Sequence, residues 1–202
     1  MRGFRGNYPA ILLVVFLVTW VILAVSPNYR SVWIAENILT VLFVGLLILT
    51  YKKFRFSNFS YTLFFVFMIL HSIGGHYSYT EMPLFDLIQD KFDLSRNHYD
   101  RVIHFLFGLM FFIPVYEFIS KKLKLKDFWG FFLAFLILIA LKGIFEVIEY
   151  GHLLITRGSE IIGANYLGMQ GDQWDAQKDI FIGILGSIVA WSGVLIKGKL
   201  RK

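Results

Sequence analysis

The chain is expected to fold as an all-α polytopic membrane bundle of about six transmembrane helices, a single integral membrane domain over residues 1–202 with both termini cytoplasmic. Three observations predict this. Hydrophobic residues fill 57% of the sequence and mean hydropathy is +0.63, which excludes an ordinary soluble domain. Six apolar stretches each approach the roughly 20 residues a helix needs to cross a bilayer core, without the alternation of barrel strands. The charges are also segregated: thirteen of the twenty Lys and Arg flank one end of these stretches, while most acids and all five His lie toward the other.

The first stretch, Tyr8–Val25, follows Arg2 and Arg5 and has the look of a signal peptide. Its long apolar run and the lack of an A-x-A site predict that it is retained. The second is Ile34–Thr50, followed by Lys52, Lys53 and Arg55. The third, Phe59–Gly74, is the shortest. The connection after it, Gly75–Tyr99, contains PLFDLIQDKF. There Leu84, Phe85, Ile88 and Phe92 share a helical face opposite Asp86 and Asp90, which predicts an interfacial helix in this third, external-side connection. Val102–Ser120 leads into the basic run KKLKLK, and Trp129–Tyr150 forms the fifth span. The long connection Gly151–Gln177, punctuated by Gly158, Gly163, Gly168 and Gly171, reads as a covering flap or a plain structured loop. Ile180–Ile196 completes the set. The Lys and Arg bias alternates through every loop, which orients the basic side inward. Trp33, Tyr77 and Trp129 read as interfacial anchors.

Composition narrows the function classes. The formal net charge is +6, but the basic residues flank spans, so membrane lipids rather than nucleic acid are the expected partners. With no cysteine, disulfides and thiolate metal sites are excluded. No P-loop, dinucleotide fingerprint, G-x-S-x-G or H-E-x-x-H is present.

Polar residues at helical spacing carry the functional signal. Asp100 and His104 share a face at the start of the fourth span; Glu146 and Glu149, continued by His152, share one at the end of the fifth; Asp172, Asp175 and Asp179 step into the sixth, followed by Gly183 and Gly186. Lipid disfavours such stripes, so they are expected to face one another. Their carboxylates then need protons or a cation. A divalent metal held by His104, Glu146, Asp175 and Asp179, with His71 as a further ligand, is one solution, zinc first and manganese or magnesium next. Asp100 or Glu149 would then act as general base. A hydrogen-bonded polar network without metal is the other solution. Lys142, His76 and Asp172 are candidate substrate contacts, with Lys142 serving either as a fixed cation for a phosphate or as the partner of Glu146 four residues on. Glu36 with Asn37 joins the cluster or caps a helix. Glu117 shows no evident partner.

The segments HSIGGHYSY (71–79), NHYDRVIHFLFG (97–108), EVIEY (146–150) and GDQWDAQKDIFIGILG (171–186) resemble the YjdF-type family of bacterial inner-membrane proteins, in order and over most of the chain. The resemblance implies an inner-membrane location and leaves activity open. The chain is more distantly similar to VanZ-like proteins, through Asp100, His104 and Phe105, then Glu146 and Glu149, then Asp175 and Asp179. Where those place an Asn before the glycines, this chain has Ile182 and Gly183. D-x-x-x-H is also similar to a motif of the membrane hydrolases that include alkaline ceramidases, whose H-x-x-x-H partner is absent here.

Three functional expectations follow. One is a metal-dependent hydrolase of a lipid or lipid-linked envelope substrate. The second is a non-enzymatic lipid- or ion-handling protein, and the third is a resistance or binding protein with a structural polar network.

Overall fold

The computed structural model describes residues 2–155 and 170–199. They form seven α-helices and no strand: α1 (Arg2–Leu23), α2 (Arg30–Thr50), α3 (Asn58–His76), α4 (Pro83–Phe92), α5 (Tyr99–Phe118), α6 (Asp127–Ile155) and α7 (Asp175–Lys199). A π-helical turn, Ile119–Leu123, extends α5. Five of the helices, α2, α3, α5, α6 and α7, are long and apolar enough to cross a membrane; α1 offers the shorter apolar stretch Asn7–Leu23. The third span, expected to be the shortest, is so among these five, at 19 residues. The side chain of His152 and residues 156–169, on which the covering flap was expected, lie outside the described residues.

Helix α5 is central. It packs against α3, α6 and α7, while α1 and α2 pack on α3. Small residues set its closest approach to α7, as is common where helices meet in lipid. A Cβ added at Gly108 would lie 2.0 Å from the Gly183 carbonyl oxygen, and one at Gly186 would lie 2.1 Å from that of Phe105. This contact brings the polar starts of α5 and α7 side by side.

The basic end has its own lock. Ser57 caps α3 by accepting a hydrogen bond from the Ser60 N–H. The Glu117 carboxylate accepts from the Ser57 N–H at 2.7 Å, from its hydroxyl at 2.9 Å and from the Ser60 hydroxyl, with Lys121 Nζ at 2.5 Å. Glu117 thus has partners in Ser57 and Ser60 that its own helix could not reveal, beside Lys121 four residues on. Two expected anchors behave differently from each other: Trp129 is exposed, but Trp33 is buried and packs on Trp20 at 5.2 Å.

The amphipathic decapeptide does form a helix, α4, with Pro83 in its first turn and Asp93 closing it in the left-handed region. Its docked side chain is Phe85, edge-on to Tyr99 at 5.3 Å. Leu84, Leu87 and Phe92 stay exposed, so the apolar face splits between the bundle and its surroundings.

Candidate functional site

The acidic end of the bundle carries two neighbouring groups of carboxylates, one at the α5–α7 contact and one in a cavity between α2 and α6.

At the α5–α7 contact, Arg101 reaches three aspartates. Its Nη2 lies 2.5 Å from Asp175 Oδ1 and 3.3 Å from Asp172 Oδ2, its Nη1 lies 2.5 Å from Asp179 Oδ1, and Nη1 also donates to the Asp175 carbonyl oxygen at 2.9 Å. Arg96 adds Nη1 to Asp175 Oδ1 at 2.6 Å. Lys178 Nζ holds Asp172 Oδ2 at 2.6 Å. Asp175 begins α7, where the helix dipole also favours a negative charge. Asp172 lies outside the spans, and the Lys178 hydrogen bond leads in holding its carboxyl below the ordinary carboxylate value. Partial burial, then the nearby Arg96 and Arg101, lower the His98 imidazole.

His104 bridges the two groups. Its Nε2 is 2.9 Å from Asp100 Oδ1 and 3.8 Å from Asp179 Oδ1. Asp100, His104 and Asp179 are the one set of three or more potential metal ligands, among the described residues, whose donor atoms lie within 4.8 Å of one another. Of the five expected metal ligands, His104 and Asp179 therefore converge, joined by Asp100, one of the two expected general bases; Glu149, the other, is not in this set. Asp175 is held by two arginines instead. Glu146 is bound by Lys142 Nζ from one turn earlier on the same helix. His71 has both ring nitrogens engaged: the Tyr79 hydroxyl meets Nδ1, and Nε2 donates to the Glu36 carbonyl oxygen at 3.2 Å.

The expected substrate contacts also separate. Lys142 is buried, paired with Glu146 and placed over the Phe145 ring at 4.8 Å. Asp172 belongs to the arginine group. His76 is elsewhere, with Nδ1 2.8 Å from the Leu23 carbonyl oxygen, tying the end of α1 to α3.

The cavity has a volume of about 770 Å³. Phe43, Phe67, Phe107, Phe111 and Phe145 are among its walls, and Phe54, Phe118 and Lys122 mark the basic end. At the acidic end it meets Glu36, His71, Tyr79, Asp100, His104, Lys142 and Glu149. From Asp100 to Phe118 it follows α5 for about 27 Å at the helical rise of 1.5 Å per residue, close to the thickness of a bilayer core. Leu42 and Leu46 of α2 and Leu141, Ile144 and Ile148 of α6 line it and are also exposed. The cavity is therefore open sideways between these two helices.

The segment HSIGGHYSY shapes this end. Ser78 and Tyr79 both take positive φ, 54° and 57°, and the chain folds back so that the Tyr79 ring covers Gly74. A Cβ there would stand 2.5 Å from Tyr79 Cε1. The turn thereby delivers the Tyr79 hydroxyl to His71.

Sequence reasoning overlooked Arg96 and Arg101 as site residues. The available signals were the i,i+4 spacing of Arg96 and Asp100 and the need of three aspartates for a counter-charge.

The architecture and its buried polar end define a polytopic helical integral membrane protein. Residues 8–199 match the family model described as "Predicted membrane protein (DUF2238)". The chain belongs to that family. It is 30% identical over 166 residues to the inner membrane protein YjdF of Escherichia coli (strain K12), covering 81% of this chain and 78% of that protein. No solved structure matches it.

Proposed function

We propose that the protein takes an amphiphile sideways from the surrounding leaflet and holds its headgroup at the acidic end of the cavity. The observation that carries this reading is the long apolar cavity, open between α2 and α6 and capped by polar side chains. Such a shape suits a lipid tail along phenylalanine walls with a headgroup at one end. By the alternation of basic loops the protein sits in the bacterial inner membrane with six spans and both termini cytoplasmic, the acidic end facing outward. The apolar residues of α4 left exposed, Leu84, Leu87 and Phe92, then rest in the outer interface.

Native mass spectrometry of protein extracted into mild detergent tests this. Wild type should retain a bound amphiphile. Ile144→Trp, which fills the lateral opening from an exposed position, should lose most of it. Equal, negligible retention in both would refute the reading.

A second reading is a metal-dependent hydrolase acting on the held lipid or lipid-linked precursor, and the convergence of Asp100, His104 and Asp179 favours it. One imidazole nitrogen with two carboxylates suits zinc, and manganese or magnesium less well. Against it, Arg101 already neutralises Asp179 at 2.5 Å. Metal analysis of the purified protein decides: stoichiometric zinc lost in His104→Ala supports the hydrolase, and metal-free wild type removes it.

A further inference from the structure

The carboxylates at this end of the molecule differ in one respect. Asp172, Asp175, Asp179 and Glu146 are each met by an arginine or lysine. Glu36 and Glu149, only 5% and 8% exposed, line the cavity from α2 and α6. Among the described residues, the Glu149 carboxylate makes no hydrogen bond or ion pair. That of Glu36 has only His71 Nε2, at 4.0 Å. Between them, Asp100 Oδ2 is buried without a hydrogen-bond donor; the nearest guanidinium nitrogen, Arg96 Nη2, is 3.7 Å away. Buried acceptors are normally satisfied, so the orphaned Asp100 Oδ2, with the Glu36 and Glu149 carboxyls on the wall of the same cavity end, points to a donor supplied from outside the chain.

We infer that the headgroup recognised here carries a protonated amine, bound between Glu36, Asp100 and Glu149. This rests on the amphiphile reading and names its ligand class. At this end an anionic headgroup would find no available partner, because the ammonium of Lys142 is taken by Glu146 and Arg101 is committed to three aspartates; Lys53 and Lys122 line the opposite, basic end. A compact metal ion fits this end less well, because it requires ligands at about 2.0–2.6 Å. Neither Glu36 nor Glu149 belongs to a set of three donors within 4.8 Å. An ammonium needs only one or two carboxylate acceptors at about 2.7–2.9 Å for charge-assisted hydrogen bonds, with the remaining carboxyl near enough to favour its charge.

The test uses three probes of equal chain length, dodecylamine, dodecanol and dodecanoate, titrated into the full-length protein in maltoside detergent. Binding is followed by calorimetry and native mass spectrometry, with Ile144→Trp as the control for partition into detergent. The expected result is dodecylamine binding about tenfold more tightly than dodecanol, with dodecanoate weakest. Glu36→Gln and Glu149→Gln should each shrink the amine-over-alcohol preference and leave dodecanol binding in place. If either variant fails to fold, the wild-type preference decides alone. Equal binding of amine and alcohol, or tighter binding of dodecanoate, would overturn the inference while leaving the cavity as an amphiphile site. No binding of any probe would overturn the amphiphile reading with it.

Discussion

The two carboxylate groups of this protein share the acidic end of the bundle and use the same side chains to opposite ends. At the α5–α7 contact, Arg96, Arg101 and Lys178 answer three aspartates, and two helices are held together. In the cavity, Glu36 and Glu149 face open space across the gap between α2 and α6. A buried acid with a cation on it is structure; a buried acid without one stands ready for a ligand. Helix α5 serves both, presenting Arg101 to one side and Asp100 to the other, with His104 between.

Breaking the arginine group should have the largest effect. Arg101→Ala leaves Asp175 and Asp179 buried with fewer counter-charges, and losing one partner of a buried ion pair costs about 3–5 kcal/mol. The expected outcome is a sharp fall in Tm in detergent and poor recovery from membranes. Survival of Arg101→Ala at wild-type Tm would show that the clamp does not hold α5 to α7.

Next comes the glycine contact beneath it. Gly186→Val forces a side chain against the Phe105 carbonyl and should cost about 1–3 kcal/mol or more from overpacking. A thermal melt checks it, with Gly193→Ala, a position with open space around it, as the control.

The cavity acids should respond in the other direction. Glu149→Gln keeps the shape of a carboxyl that makes no hydrogen bond or ion pair among the described residues, so stability should stay within about 0.5 kcal/mol of wild type or rise. A loss as large as that of Arg101→Ala would erase the distinction between the two groups.

The smallest effect concerns Asp172. Its carboxyl is held below its ordinary value, with the Lys178 hydrogen bond as the first cause. A depressed folded-state value stabilises the fold above the unfolded value near about 3.9, and that contribution is lost as pH falls through the folded value. Lys178→Ala should therefore slightly lower Tm at neutral pH and flatten its decline below about pH 4. Parallel Tm–pH curves for the two proteins would contradict this.

The helices were legible because hydropathy and charge segregation act over whole segments. The polar stripes were legible because residues three and four apart share a face, which placed Asp100 with His104 and Asp175 with Asp179. What the sequence could not rank was which carboxylate each cation would take. Lys142 and Glu146 are one turn apart on one helix, so their pairing was foreseeable. Arg101 meets Asp175 across 74 positions of chain, and only the close approach at Gly108 and Gly186 makes that meeting possible. The partners of His71 were hidden for a similar reason: they arrive from α2 and from a left-handed turn that no periodicity announces. The cavity was beyond reach, because it reflects how α2 and α6 fail to close on each other.

A density map of the protein in a lipid nanodisc is the most direct measurement. Elongated density between α2 and α6 should end within about 3 Å of a Glu36 or Glu149 carboxylate oxygen, the distance of a hydrogen bond. Helices α2 and α6 packed together with no space between them, or Glu36, His104 and Glu149 lying on separate surfaces, would contradict it.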